Sequence, residues 1–280
     1  MSDFLEQVVA ERRADAEQAK RERPEQSLYE EALVRGHKPV AQPGGDAFTR
    51  ALLAARADGR LAVIAEVKRI SPALGTLRAD ADVRAIARRY ERAGATAISV
   101  LCEPRHWGGS LADLAAVREV VGIPVLCKDV IVDERQVVEA WAMGAHAVLL
   151  IAEALDDAQL RRLADRATRL GVGVLVEGHE TDAFERAVRC GARVIGVNAR
   201  DLRHPREIRP ERIRLLHGLA RPEQILVAES GVGSLDDART LPPRVDAVLV
   251  GTALMRSDDP SILIGQLRGV ARAKATGALA

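Results

Sequence analysis

From Leu61 onward, short apolar, β-branched runs alternate with longer segments whose apolar positions recur every three or four residues. The first kind reads as strand and the second as amphipathic helix. Eight runs occur: Leu61–Val67, Thr96–Leu101, Pro124–Lys128, His146–Ile151, Val172–Glu177, Arg193–Asn198, Ile225–Glu229 and Asp246–Val250. Their nearly continuous apolar character is that of parallel strands covered on both faces. The joints between helix and strand echo one another in Gly94-Ala95-Thr96-Ala97-Ile98, Gly144-Ala145-His146-Ala147-Val148 and Gly191-Ala192-Arg193-Val194-Ile195, with Val245-Asp246-Ala247-Val248 as a version without glycine. Glycine there supplies the left-handed residue that ends each helix. Eight β/α units at a period of roughly 20 to 50 residues predict a closed (β/α)8 TIM barrel in preference to an open doubly wound sheet.

Upstream, Phe4, Leu5, Val8, Val9 and Ala16 form a thin apolar stripe within the charged residues 3–23, the pattern of a surface helix. A Pro/Gly cluster from Lys38 to Asp46 reads as a linker. Asp46 is placed to cap a helix carrying Phe48, Ala51, Leu52 and Leu53, which Asp58-Gly59 ends. The expected organisation is one domain over residues 1–280. An N-terminal helical extension (1–60) is appended to a barrel (61–270), and a short tail (271–280) follows.

Charge narrows the function classes. With 41 basic against 40 acidic side chains, no global field draws the chain to nucleic acid or an anionic membrane, so an anionic ligand needs a local site. The longest apolar run, Ala145 to Ala152, is broken by His146 and is far short of the roughly 20 residues that span a bilayer. Met1 to Arg23 is charged throughout and lacks the apolar stretch of a secretory signal, so a cytoplasmic protein is expected. Cys102, Cys127 and Cys190 have no CxxC spacing and read as small hydrophobes. His37, His106, His146, His179, His204 and His217 show no zinc-type pairing, and they read as surface or loop residues, with His106 and His179 set apart by location. No metal is expected. Aromatics are scarce, so Trp107 and Trp141 stand out, the latter as a filler between helix and barrel.

In a barrel of this kind chemistry sits where the strands end at the carboxyl face. The first run delivers Glu66 and Lys68, and Glu103 follows the second. The third ends on Lys128 and Asp129, the fifth on Glu177, the sixth on Asn198 and Arg200, and the seventh on Glu229 and Ser230. Glu66 and Lys68 are two apart and therefore share a side of their strand. Turned inward, they make a buried acid/base pair in which Lys68, like Lys128, is tuned as a proton donor near neutral pH. Glycine-rich joints follow the seventh run (Ser230-Gly231-Val232-Gly233-Ser234) and the eighth (Gly251-Thr252-Ala253), the usual phosphate position in this fold.

The run Ile64-Ala65-Glu66-Val67-Lys68-Arg69-Ile70-Ser71-Pro72 resembles the signature of the indole-3-glycerol-phosphate synthase family. Six further blocks resemble that family in its order: Ser99 through Leu111, Pro124–Asp129, Leu175-Val176-Glu177, Gly196–Leu202, Ala228–Val232 and Val250–Met255. The resemblance implies a cofactor-free lyase of tryptophan biosynthesis that converts 1-(2-carboxyphenylamino)-1-deoxyribulose 5-phosphate to indole-3-glycerol phosphate, carbon dioxide and water. It makes Lys128 the general acid at the ketone oxygen and pairs Lys68 with the substrate carboxylate. Glu66 and Glu177 assist proton transfer, while Asn198, Arg200, Glu229 and Ser230 orient polar groups. Ser71, Gly231, Gly233, Ser234, Gly251 and Thr252 hold phosphate. Two positions depart from the family. Val130 stands where it carries a phenylalanine that packs on the aryl ring, with Trp107 as the aromatic able to compensate, and Gly178 stands where it has a branched residue, which loosens the hold on Glu177. These departures favour, as one alternative, a paralogue for a substituted anthranilate-derived substrate; a non-catalytic phosphate-binding barrel is the other.

Overall fold

The structure, a computed structural model, describes residues 3–37 and 46–272. The linker expected from Lys38 falls outside the described residues up to Asp46, as does the tail from 273 onward. Among the described residues three helices precede the barrel: α1 (Phe4–Glu22), α2 (Glu25–Val34) and α3 (Ala47–Ala57). Asp46 caps α3 as expected, its carboxylate accepting from the Thr49 N–H at 2.8 Å. The sequence reading missed α2. Pro24 opens it and only Leu28 and Ala32 are buried, too few apolar positions to declare a period.

Eight strands follow, β1 (Ala62–Val67), β2 (Ala97–Leu101), β3 (Val125–Lys128), β4 (Ala147–Ile151), β5 (Gly173–Gly178), β6 (Val194–Asn198), β7 (Ile225–Glu229) and β8 (Ala247–Val250). Each pairs in parallel with its sequence neighbours, and β8 returns to β1 to close the barrel. Helices wrap the outside: α4 (Val83–Arg92), α5 (Leu111–Arg118), α6 (Glu134–Ala142), α7 (Asp157–Arg169), α8 (Thr181–Arg189), α9 (Glu211–Leu216), α10 (Leu235–Thr240), α11 (Thr252–Arg256) and α12 (Pro260–Arg268). The three repeated glycines end α4, α6 and α8 with φ of 92°, 90° and 91° at Gly94, Gly144 and Gly191, where a Cβ is strained.

Burial on both faces explains the apolar runs: every barrel-strand residue is buried except Lys128. That exception marks the mouth. Trp141 fills the expected gap on α6, its ring 5.1 Å from that of Tyr29 on the unforeseen α2. Cys102 and Cys127 are buried and Cys190 is half-buried. Among the described residues no helix is long and apolar enough to cross a membrane.

The amino-terminal extension is not a mere appendage. From α1, Arg12 reaches Asp129 at 2.7 Å, Glu11 reaches His106 at 2.7 Å, Asp15 holds Arg105 at 2.5 Å and Lys20 holds Asp133 at 2.6 Å. All four partners lie on the loops after β2 and β3. Pairings across about a hundred residues of chain leave no trace in local periodicity, which is why the charges of α1 read as a solvated face.

Candidate active site

At the carboxyl ends of the strands lies a cavity of about 340 Å³. It is lined by Glu66, Lys68, Lys128, Glu177, Asn198 and Glu229, the full set of expected chemical groups, together with Trp107, Arg200, Ser230, Gly231, Gly233, Gly251 and Thr252. Ser71 and Ser234 are not among the lining residues. Ser71 is buried in a short ladder between Ile70–Ser71 and Gly75–Thr76. The Ser234 hydroxyl caps α10, accepting from the Asp237 N–H at 3.1 Å and donating to the Asp237 carboxylate at 2.8 Å.

The inward turn of β1 makes the expected pair, with Lys68 Nζ 2.8 Å from Glu66 Oε1. Across the mouth, Lys128 Nζ donates to Glu177 Oε2 at 3.1 Å and to Glu229 Oε2 at 2.8 Å. Three N–H bonds radiate from an ammonium, so one is left for a ligand. Asn198 donates to Glu177 Oε1 at 3.2 Å, and its carbonyl oxygen accepts from the Ser230 hydroxyl at 3.0 Å. Among the described residues Ser230 is the non-glycine residue at positive φ, 63°, a strained backbone of the kind that collects at functional sites.

The electrostatics correct one expectation. Burial acts to lower the Lys128 pKa, but the carboxylates of Glu177, Glu229 and Glu66 override it and leave the ammonium raised rather than tuned toward neutrality. One ammonium cannot neutralise two buried carboxylates. Burial, reinforced by Glu177 and opposed by Lys128, pushes the Glu229 carboxyl well above its usual range. Burial thus biases Glu229, on the carboxylate side of the cluster, toward holding a proton.

Two glycines make room for this chemistry. A Cβ at Gly196 on β6 would collide with Glu229 Oε1, and one at Gly251 would collide with Glu66 Oε1. Gly178 also has a steric reason, since a Cβ there would fall 2.8 Å from the Phe184 backbone nitrogen on α8. Helix α8 approaches closely, and Glu177 keeps its partners Lys128 and Asn198. The expected loosening at Gly178 is not seen. Val130 is buried, at 3% exposure, and lines the cavity with Leu101, Leu149, Ile151 and Trp107, a largely aliphatic wall. The Trp107 ring is propped by Phe4 of α1, 5.8 Å between centroids.

Glu103 has a different task from the other strand-end carboxylates. It accepts the backbone N–H groups of Arg105, His106 and Trp107 at 3.0, 2.6 and 3.0 Å, folding the loop that presents Trp107. Arg256 was missed by sequence reasoning: it ends α11 and lines the cavity beside Gly251 and Thr252. A basic residue one turn beyond a phosphate-type loop was the available signal. Among the described residues neither Arg200 nor Arg256 has a carboxylate at ion-pair distance; Arg200 donates instead to the Pro205 carbonyl. The fold also gathers His179, Glu180 and Asp201 within 4.8 Å, a grouping that histidine spacing did not reveal. Both Glu180 oxygens accept from Arg212, at 2.7 and 2.8 Å, so the group is an ionic cluster.

A family model described as indole-3-glycerol phosphate synthase matches residues 5–267. An indole-3-glycerol phosphate synthase of a Nocardioides species is 50% identical over 209 residues, covering 74% of this chain and 80% of the relative. One from a Parafrankia species is 45% identical over 264 residues, 94% of each chain. Among solved structures, a thiamine phosphate pyrophosphorylase from Pyrococcus furiosus aligns with a TM-score of 0.56 at 19% identity, over 76% of this chain and 95% of that one, a likeness of fold alone. With a match from α1 to α12 and relatives at this identity, the chain belongs to the indole-3-glycerol phosphate synthase family.

Proposed function

We propose that this protein is a decarboxylating carbon–carbon lyase of tryptophan biosynthesis, working in the cytoplasm on a free phosphorylated small molecule, with no nucleic-acid or membrane partner. Its substrate is 1-(2-carboxyphenylamino)-1-deoxyribulose 5-phosphate and its product indole-3-glycerol phosphate. The observation that carries this reading is the Lys128 ammonium bridging Glu177 and Glu229 at 3.1 and 2.8 Å with one N–H left for the cavity.

In the proposed sequence that N–H meets the ketone oxygen, and Lys128 protonates it as the aryl carbon bearing the carboxylate attacks. Lys68, with one partner in Glu66, offers its remaining N–H bonds to the carboxylate, aided by Arg200. Loss of carbon dioxide restores the aromatic ring, so the carbon–carbon cleavage calls for no electron sink. Water then leaves from the former ketone carbon, its hydroxyl taking a proton from Lys68 while Glu177, assisted by Glu66, accepts the single proton released from the ring CH2 next to nitrogen. Glu229, held by burial with a raised pKa, supplies or stores the proton beside Lys128. Asn198 and Ser230 orient hydroxyls. The backbone N–H groups of Gly231, Gly251 and Thr252 take the phosphate, with Arg256 adding charge, while Gly233 shapes the loop, its N–H donating to the Asp237 carboxylate at 2.9 Å.

The test is incubation of the purified protein with this substrate while indole fluorescence is followed. Turnover reduced by Lys128→Ala on the order of a thousandfold, in a folded variant, supports the reading; absence of turnover by wild type sinks it. A second reading is favoured by Val130: its side chain leaves space at an aliphatic wall for a ring substituent. Comparison of kcat/KM for the parent and ring-methylated substrates decides it, a preference for the methylated compound being the outcome it requires.

A further inference from the structure

We infer that Arg12, on the amino-terminal helix, is a positioning residue of the active site: by pairing with Asp129 it sets the turn that follows Lys128 and thereby aims the ammonium. The inference rests on the proposed role of Lys128. Arg12 Nη2 lies 2.7 Å from Asp129 Oδ2, with only 12% and 4% of the two side chains exposed. The other Asp129 oxygen accepts the Val130 N–H at 2.7 Å. Asp129 therefore grips its own turn with one oxygen and α1 with the other, between Lys128 and Val130, which both line the cavity. Arg12 is itself aimed, since Asp15 accepts from its Nη1 at 2.9 Å while also holding Arg105 at 2.5 Å.

Stability alone does not account for this arrangement. The Arg12 Nε–H is buried without a hydrogen-bond partner, and a buried ion pair is commonly matched or bettered by apolar packing of the same volume. What the guanidinium does supply is charge on Asp129. The groups facing that carboxylate are Arg12 from α1, Glu103 from the loop after β2 and the Val130 N–H, with the Cys102 thiol nearby. Burial pushes the Asp129 carboxyl up to about 6 even with Arg12 in place. Without Arg12 it rises further and takes a proton at neutral pH, and the grip on the Val130 N–H weakens. A small misplacement of a general acid lowers the chemical step, while the phosphate-side contacts at Gly231, Gly251 and Arg256 lie on other elements.

The test compares wild type with Arg12→Met, Arg12→Lys and Asp129→Asn, each checked for folding by circular dichroism and thermal melting. Arg12→Met is expected to lower kcat by about ten- to a hundredfold with KM changed by less than about threefold, and Arg12→Lys to restore most of that loss. The acid limb of kcat is expected to move to higher pH in Arg12→Met and to vanish in Asp129→Asn. A second readout needs no turnover: the amide shift of Val130 should titrate near pH 6 in wild type and at higher pH in Arg12→Met. Unchanged kcat and an unmoved Val130 titration in folded Arg12→Met would overturn the proposal. A kcat loss that tracks melting temperature, without lysine rescue or a moved pH profile, would overturn it too. An inactive wild type with a shifted Val130 titration would instead fault the functional reading and leave the ion pair's effect on the turn standing.

Discussion

Glu229 is buried in the cavity wall: Lys128 holds one oxygen at 2.8 Å, and the other faces Gly196 with no hydrogen-bond partner among the described residues. Its position depends on the missing Cβ across the β6–β7 ladder, where Gly196 pairs with Val227. Gly196→Ala is expected to displace that carboxylate, costing about 1–3 kcal/mol of stability by overpacking and at least tenfold in kcat. Thermal melting and initial rates check it; a variant with both unchanged would mean that Glu229 has an alternative rotamer of equal energy. The identities of the acid and base residues were legible because barrel strands deliver them at known ends. The clearance that Gly196 and Gly251 provide was not, since it depends on a neighbour from another strand.

At the opposite end of the strands a pH response is expected from His146. At the entry to β4, His146 accepts the Val125 N–H on Nδ1 at 3.1 Å, which requires a neutral ring. Burial first, then Arg118 and His37, push its pKa down to about 4. Between pH 4 and 6.5 the unfolded chain binds a proton there that the folded state does not, so this contribution to stability is present above pH 6.5 and lost as pH falls toward 4. The full effect is about 3 kcal/mol. Melting temperatures of wild type and His146→Gln across that window are expected to converge at low pH; parallel curves would refute the assignment. All eight strands were read from the sequence to within one residue at either end, because an apolar run covered on both faces is its own signal. Helix α2 was not, because two buried side chains make no period.

Over the whole molecule the charge nearly cancels, at +1 with neutral histidines, and the cavity mouth itself mixes Lys68, Lys128, Arg200 and Arg256 with Glu66, Glu103, Asp129, Glu177 and Glu229. An anionic substrate is therefore captured by short-range contacts rather than steered from afar. Raising ionic strength from about 0.05 to 0.5 M is expected to lower kcat/KM by less than about tenfold, mainly through KM. A steeper dependence in steady-state rates would point to long-range steering that this charge distribution does not provide.

By itself the sequence determined the barrel, its strand boundaries, the groups at its mouth and the family resemblance, because each of these is written within one β/α unit or its end. Only the tertiary structure decided which charges neutralise which. It set Lys128 between two carboxylates and raised its pKa, put Glu103 to folding the Trp107 loop, and took Ser71 and Ser234 away from the cavity lining. It also turned α1 from a charged surface helix into the partner of Asp129. Those outcomes depend on distance and burial between residues far apart in the chain, to which the pKa of a buried group is most sensitive and local pattern is blind.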